Sequence, residues 1–151
     1  MLKHAFAAAL VVCAACAPAR AGNLHSAAGA HATVGARYAA QFQALIDDLE
    51  AHGARVLFMG GIRPGRCGPA HKHPCGMALD VCQRGRNVVD TRCHMPGPAV
   101  ENDIAEHHGL FHGARWCDAD RGHFEAGGSV ACGHEWGAKR GTRYANRNAR
   151  R

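Results

Sequence analysis

Residues 73–80, HPCGMALD, decide how the rest of the chain is interpreted. They carry a histidine and an aspartate, both possible metal ligands, at the two ends of a stretch that contains a glycine. The apolar run at 77–82 predicts a strand, in which alternate side chains, Asp80 among them, share one face. Gly76 lets the chain turn sharply between the loop that carries His73 and this strand. The stretch therefore predicts a metal site where a loop enters a strand.

A second stretch, residues 120–125 or DRGHFE, supplies another possible ligand. Its end predicts a strand in which His123 faces the site and Phe124 faces the core, again by alternation. A catalytic zinc ion takes three nitrogen or oxygen ligands from the protein and leaves one position open. Two histidines and one carboxylate, namely His73, Asp80 and His123, meet that need.

The segments around these stretches predict both helices and strands. From residue 36 onward, apolar side chains recur at helical spacing for roughly 15 residues until Gly53. Residues 55–59 form a short apolar run typical of a buried strand. A second helix is expected to begin at Pro98 and to end before Gly109. Since the elements do not alternate regularly, we predict an α+β fold with a small, mainly antiparallel sheet and flanking helices.

The start of the chain has the layout of a secretory signal peptide. A positively charged start is followed by the apolar run at 5–16 and a small-x-small motif at 19–21. We therefore expect residues 1–21 to be removed, no membrane span in the mature chain, and a periplasmic or extracellular location. Lipid anchoring at Cys13 or Cys16 is the disfavoured alternative, because neither follows a Leu-small-small triplet.

Three further segments follow this leader. Residues 22–35 are rich in small residues without a sustained period and are expected to form a linker or arm, whereas 36–136 should form one folded domain. Residues 137–151 form a basic tail that is expected to be disordered. The tail accounts for the net charge of +6 and lacks interleaved aromatic residues, so we expect no nucleic-acid binding. Its basic residues are Lys139, Arg140, Arg143, Arg147, Arg150 and Arg151.

Cysteines beyond the leader predict a disulfide framework, because disulfides persist in the oxidising compartments that exported proteins reach. There are six of them: Cys67, Cys75, Cys82, Cys93, Cys117 and Cys132. We expect neighbours to pair, as Cys82–Cys93 and Cys117–Cys132, while Cys75 either braces its loop through Cys67 or narrows the cleft. A structural zinc ion on four thiols is disfavoured because no Cys-x-x-Cys spacing occurs.

Both stretches, in this order, resemble the zinc D,D-carboxypeptidase and L,D-endopeptidase family, which shares its fold with the Hedgehog signalling domain. The family shows a helix, a strand ending as at residues 61–63, and then His-x-x-Gly-x-Ala-x-Asp. Residues 109–116, GLFHGARW, just before Asp-x-x-His-Phe-Glu, are also similar to it. The resemblance covers roughly residues 36–126.

This resemblance implies a monomeric, secreted peptidase that uses one zinc ion and acts on peptidoglycan stem peptides. His73, Asp80 and His123 would be the zinc ligands. Asp120 would be the general base that takes a proton from the attacking water and passes it to the leaving amine. Arg63 would bind a substrate carboxylate or stabilise the oxyanion. The peptide bond that is cleaved cannot be read from these residues.

Several positions leave alternatives open. His71 competes with His73 as first ligand, and Asp118 competes with Asp120 as base, although the spacing favours the latter member of each pair. Arg63 has the alternative of pairing with an acidic surface group.

Residues near the second stretch leave alternatives as well. Glu125 either orients a ligand ring from behind or forms a surface salt bridge. Trp116 and Phe124 are expected in the core, with a platform for substrate as the alternative.

Two other functions compete with the peptidase hypothesis. The first is a non-catalytic module on the same fold, in which zinc holds the structure or docks a wall component or partner. The second is a disulfide-stabilised secreted protein without metal. Zinc content and turnover of defined peptides separate the three.

Overall fold

The computed structural model describes residues 21–85, 88–116 and 118–128. Within them, two helices and two small antiparallel sheets confirm the predicted α+β class. The predicted signal peptide apart from Ala21, the basic tail, and the predicted Cys117–Cys132 disulfide lie outside the described residues. Among the described residues, no helix is both long enough and apolar enough to cross a membrane.

In the part of the chain that the structure describes, six strands, two helices and three short 3-10 turns follow one another. Strands β1 and β2 form a hairpin, and the other four form a sheet in the order β3-β4-β6-β5, in which every neighbouring pair is antiparallel. The helices and strands are β1 Ala21–His25, β2 His31–Gly35, α1 Ala36–Ala51, β3 Met59–Gly60, β4 Ala78–Val81, α2 Pro98–His107, β5 Phe111–His112 and β6 His123–Glu125. The 3-10 turns are His73–Cys75, Thr91–Cys93 and Gly113–Arg115.

Helix α1 supplies one wall of the core and matches the predicted helix. Its apolar side chains recur every three or four residues, so Phe42, Leu45, Ile46 and Leu49 lie on one face and are fully buried. Burying a side chain of this size stabilises the fold by roughly 1.5–3 kcal/mol. Helix α2 also forms as predicted, from Pro98 to His107.

Residues 22–35 were expected to form a linker or arm, and this expectation is wrong. They form most of the β1–β2 hairpin, with Leu24 and Val34 fully buried in the core. A Cβ atom at Gly22 would lie 2.4 Å from the Cβ of Ala39 on helix α1. The small residues that resemble a linker in the sequence are therefore needed for close packing of the hairpin on the helix.

The apolar run at 55–59 was predicted as a strand, but only its end forms one. Met59 and Gly60 pair with Val81 and Asp80 of β4. Beyond Val81 the chain turns away, since Cys82 has a φ of 56°. The ladder therefore stops after two residues, and β4 itself is shorter than the predicted strand at 77–82.

Two of the predicted cysteine pairings are present. Cys82 is bonded to Cys93, and Cys67 is bonded to Cys75 in the loop before β4. The Cys67–Cys75 bond lies in a segment that contributes few buried apolar side chains, whereas Cys82 and Cys93 are fully buried and join an exposed loop to the core. Closing such loops covalently restricts the unfolded chain and compensates for the small local core.

Candidate metal centre

Strand pairing and a turn bring the three predicted ligands together. Asp80 on β4 lies directly opposite His123 on β6 in the antiparallel register. His73 begins the 3-10 turn that precedes β4, and Gly76 ends that turn in the left-handed region with a φ of 66°. The possible ligand atoms of the three side chains all lie within 4.8 Å of one another. A metal ion could therefore be held by residues from two neighbouring strands and one turn.

The His73 ring is oriented by the backbone. Its Nδ1 lies 2.8 Å from the carbonyl oxygen of Gly61, so Nδ1–H donates to that oxygen. The lone pair of Nε2 then faces the carboxylate of Asp80, at 3.2 Å from its Oδ1. Histidine ligands are commonly held in this way, with the far ring nitrogen donating to a carbonyl or carboxylate oxygen.

The His123 ring is oriented by a buried carboxylate. Its Nε2 lies 3.3 Å from Oε2 of Glu125, and its Nδ1 lies 2.9 Å from Oδ1 of Asp80. Glu125 is only 4% exposed, so it does not form the surface salt bridge considered as an alternative. It lies behind the His123 ring, where a residue that fixes a ligand would be expected.

Charges within the cluster oppose the effect of burial. Burial alone lowers the pKa of His123, but Asp80 and Glu125 raise it to about 9. Burial raises the pKa of Asp80, yet the neighbouring imidazole rings of His123 and His73 outweigh this effect, so the pKa of Asp80 is lowered and the carboxylate stays ionised. A metal ion at this position would displace the proton on Nδ1 of His123, because ligands must be deprotonated.

The donor set fits a divalent metal ion that favours nitrogen and oxygen ligands. Two imidazoles with fixed ring orientations and one ionised carboxylate converge, which matches the three-ligand arrangement of catalytic sites. His71 is exposed and lies outside this group. Of the two histidines considered as first ligand, the structure therefore places His73 in the cluster.

Arg63 lies at the rim of the cluster. Its guanidinium donates to Oδ2 of Asp80 and lies 2.6 Å from Nε2 of His73. The side chain is 55% exposed and is free to turn outward into water. Its acidic partner is thus Asp80 of the candidate site rather than a surface residue elsewhere.

An open cavity of about 370 Å³ lies over the three ligands. Asp120 lines it, and both carboxylate oxygens of Asp120 accept hydrogen bonds from Nε2 of Gln83, at 2.8 and 2.9 Å. Asp118 is exposed and does not line the cavity. The remaining lining residues are Arg63, Gly85 and Trp116.

Gln83 was not among the residues predicted to lie at the site, and Trp116 is not in the core, where it was expected. Phe124 is fully buried in the core as expected, but Trp116 is only half-buried and its ring lies 4.8 Å from that of His123. Gln83 lies three residues after Asp80, so simple strand alternation would put the two on opposite faces. The left-handed Cys82 breaks that alternation, which no pattern in the sequence reveals.

A buried polar network supports the segment that leads to His123. Arg121 donates from Nε to Oε2 of Glu101 at 2.8 Å, and Glu101 is fully buried on helix α2. His112 donates from Nε2 to the carbonyl oxygen of Arg121 at 2.6 Å and stacks on Phe124. Burial lowers the pKa of His112, which favours the neutral ring. This network ties the turn between Asp120 and His123 to helix α2.

A second group of possible ligands, Asp48, His107 and His108, lies apart from the cavity. Nε2 of His108 is 2.7 Å from Oδ2 of Asp48, and His107 is exposed. The Asp48–His108 contact joins helix α1 to the end of helix α2, and this structural role explains the presence of both side chains.

Comparison of the chain with protein-family models, with curated proteins and with solved structures found no match.

Proposed function

We propose that the chain is an exported zinc peptidase that hydrolyses peptide bonds in peptidoglycan stem peptides, of the D,D-carboxypeptidase or L,D-endopeptidase type. One observation carries the proposal. His73, Asp80 and His123 converge beneath an open cavity whose wall also presents the carboxylate of Asp120. Three ligands and a separate carboxylate are the groups that zinc-assisted hydrolysis requires.

The fold and the location form part of the same proposal. We propose that the fold is of the Hedgehog and D,D-peptidase type, a proposal supported by the order of helix α1, strand β3 and the Asp80 strand β4 along the chain. The Cys67–Cys75 and Cys82–Cys93 disulfides suit an oxidising compartment such as the periplasm.

Asp120 is the general base in this proposal. When bound, zinc supplies a Lewis acid that polarises the scissile carbonyl group. The Asp120 carboxylate takes a proton from the attacking water and delivers it to the amine that leaves, so the proton is returned and the peptide bond is replaced by an acid and an amine. A positioned carboxylate accelerates such a reaction by roughly 10²–10⁴-fold.

Arg63 and Trp116 bind the substrate. The exposed guanidinium of Arg63 reaches the cavity rim, where it pairs with a carboxylate of the stem peptide by charge-assisted hydrogen bonds. The Trp116 ring beside His123 offers an apolar surface for the peptide. Both residues thus orient the scissile bond towards Asp120.

The first prediction tests Asp120 directly. Asp120→Ala is expected to retain one zinc ion per chain and to lose cleavage of defined muropeptides by roughly 10²–10⁴-fold, because the ligands stay intact while proton transfer is lost. Mass spectrometry of muropeptides, with zinc content measured on the same sample, provides the readout.

Asp118→Ala is the matched control, since Asp118 is an exposed aspartate two residues away that does not line the cavity. It should cleave like the parent. A zinc-loaded Asp120→Ala protein that cleaves as fast as the parent would contradict the assigned base. Full zinc content without turnover on any stem peptide would favour a non-catalytic binding module.

A further inference from the structure

We propose that Gln83 is a positioning residue, which holds the carboxylate of Asp120 over the ligand cluster; this role rests on the proposed function. Gln83 forms no hydrogen bond with any of the three ligands but lines the same cavity. Four features of its surroundings support a role that acts through Asp120.

The first feature is the backbone that brings Gln83 to the cavity. Strand β4 ends at Val81, and Cys82 adopts a φ of 56°, which a non-glycine residue seldom adopts. The disulfide to Cys93 and the hydrogen bond from Asp90 N to the carbonyl oxygen of Cys82, at 2.8 Å, hold this residue. A covalently fixed, left-handed residue thus sets the direction of Gln83.

The second feature is the geometry of the contact. Nε2 of Gln83 lies 2.8 and 2.9 Å from the two carboxylate oxygens of Asp120. The amide must face Asp120 with its nitrogen, because the opposite orientation would place an acceptor oxygen against a carboxylate. A single donor that spans both oxygens fixes the rotation of the carboxylate as well as its position.

The third feature is packing between the two segments. A Cβ atom at Gly122 would lie 2.7 Å from Cβ of Gln83 and 3.2 Å from the carbonyl oxygen of Val81. The N–H group of Val81 in turn donates to the carbonyl oxygen of Gly122 at 2.7 Å. The turn that carries Asp120 therefore rests on the stem of Gln83, so the two side chains cannot shift independently.

The fourth feature is a cost to stability. Oε1 of Gln83 is buried and accepts no hydrogen bond from any described residue. A buried acceptor without a partner is unfavourable, and an apolar side chain of the same length would avoid that cost. Glutamine is thus a poor choice for stability here but a good one for holding Asp120. A residue that only braced the turn would not need the amide.

Gln83→Met tests this inference, because methionine keeps the length and removes both the donor and the unsatisfied acceptor. We expect kcat on muropeptides to fall by about 10- to 100-fold with KM changed by less than about threefold. Zinc content should stay at that of the parent, and the Tm should stay within about 4 °C of the parent or rise. Gln83→Glu, which places a like charge against Asp120, should also lose kcat.

Gln43→Met is the matched control. Gln43 on helix α1 donates from Nε2 to Oδ1 of Asp47 at 2.8 Å and exchanges hydrogen bonds with the backbone of His25, so the substitution removes an amide-to-carboxylate contact away from the cavity. It should leave kcat unchanged. An unchanged kcat in Gln83→Met overturns the inference, and so does a parallel loss of kcat, zinc and Tm, which would mark Gln83 as merely structural.

Crystal structures of the zinc-loaded parent and Gln83→Met provide a readout that does not need turnover. We expect the Asp120 carboxylate to be displaced or split between conformers in the variant. If the parent cleaves no stem peptide, the proposed function fails while this comparison still decides whether Gln83 positions Asp120. An Asp120 carboxylate in the same place in both structures overturns the inference.

Discussion

The two sides of the candidate site are held in different ways. His73 belongs to a loop and a 3-10 turn whose neighbours at residues 62–71 are mostly exposed. His123 belongs to strand β6, which lies between β4 and β5 with all three of its residues buried. We refer to residues 61–77 as the His73 side and to residues 111–125 as the His123 side.

The supports differ because the burial differs. On the His73 side, the Cys67–Cys75 disulfide and the left-handed Gly76 hold a segment that cannot bury much apolar surface. On the His123 side, the segment is held by the core residue Phe124 and by the ion pair between the buried Glu101 and Arg121. A metal site can thus combine a covalently closed loop with a packed strand, provided that the ligands meet at one point.

The largest expected effect on the free energy of unfolding is on the His123 side. Glu101→Ala removes the buried partner of Arg121, and breaking a buried ion pair typically costs about 3–5 kcal/mol. Because the Arg121 side chain is 32% exposed and can turn to water, we expect a loss near 3 kcal/mol in the free energy of unfolding. Chemical denaturation of the zinc-free protein measures it.

Glu106→Ala is the control for this change, since Glu106 lies on the same helix as Glu101 and pairs with Arg115, but both side chains of this pair are about half exposed. An exposed pair contributes little, so its loss should barely change the denaturation midpoint. Equal effects of the two variants would show that the buried network does not support the His123 side.

A smaller effect on stability is expected on the His73 side. Replacing Cys67 and Cys75 together by serine opens a short loop, for which the chain-entropy estimate is about 2.5 kcal/mol. Because this loop carries His73 but little of the core, we expect the zinc affinity to fall by roughly tenfold while the fold persists.

Competition with a chelator measures the zinc affinity, and circular dichroism reports the fold. Unchanged zinc affinity in the double serine variant would show that Gly76 and β4 hold His73 without the disulfide. Loss of the whole fold would show that the two sides are not held separately.

The smallest expected effect on stability concerns the loop closed by Cys82–Cys93, where an ion pair between Asp90 and Arg92 adds to the disulfide. Hydrogen bonds from Arg92 lower the pKa of Asp90 to about 2. The folded state therefore favours the ionised carboxylate, so this stabilisation is fully present above the ordinary pKa of 3.8 and is lost as the pH falls towards about 2.

Asp90→Asn is thus expected to be less stable than the parent near neutral pH, and the difference in Tm should shrink as the pH falls from about 4 to about 2. Thermal unfolding across this range checks the trend. A difference that grows on acidification would contradict the assigned direction of the shift.

Prediction from sequence succeeded where local patterns suffice. Helical spacing predicted α1 and α2, and alternation placed Phe124 in the core opposite His123. It failed for the hairpin at 22–35, because small residues in a linker and small residues packed against a helix look alike in a sequence.

By itself, the sequence determined the α+β class, the two short stretches that carry His73, Asp80 and His123, and the preference for neighbouring cysteine pairs. Spacing along one chain segment is enough for each of these. Only the tertiary structure decided that β4 and β6 lie antiparallel with Asp80 opposite His123, and that Gln83 rather than a strand neighbour faces Asp120. Register between distant strands and a left-handed residue such as Cys82 depend on contacts across the whole fold, which no local pattern encodes.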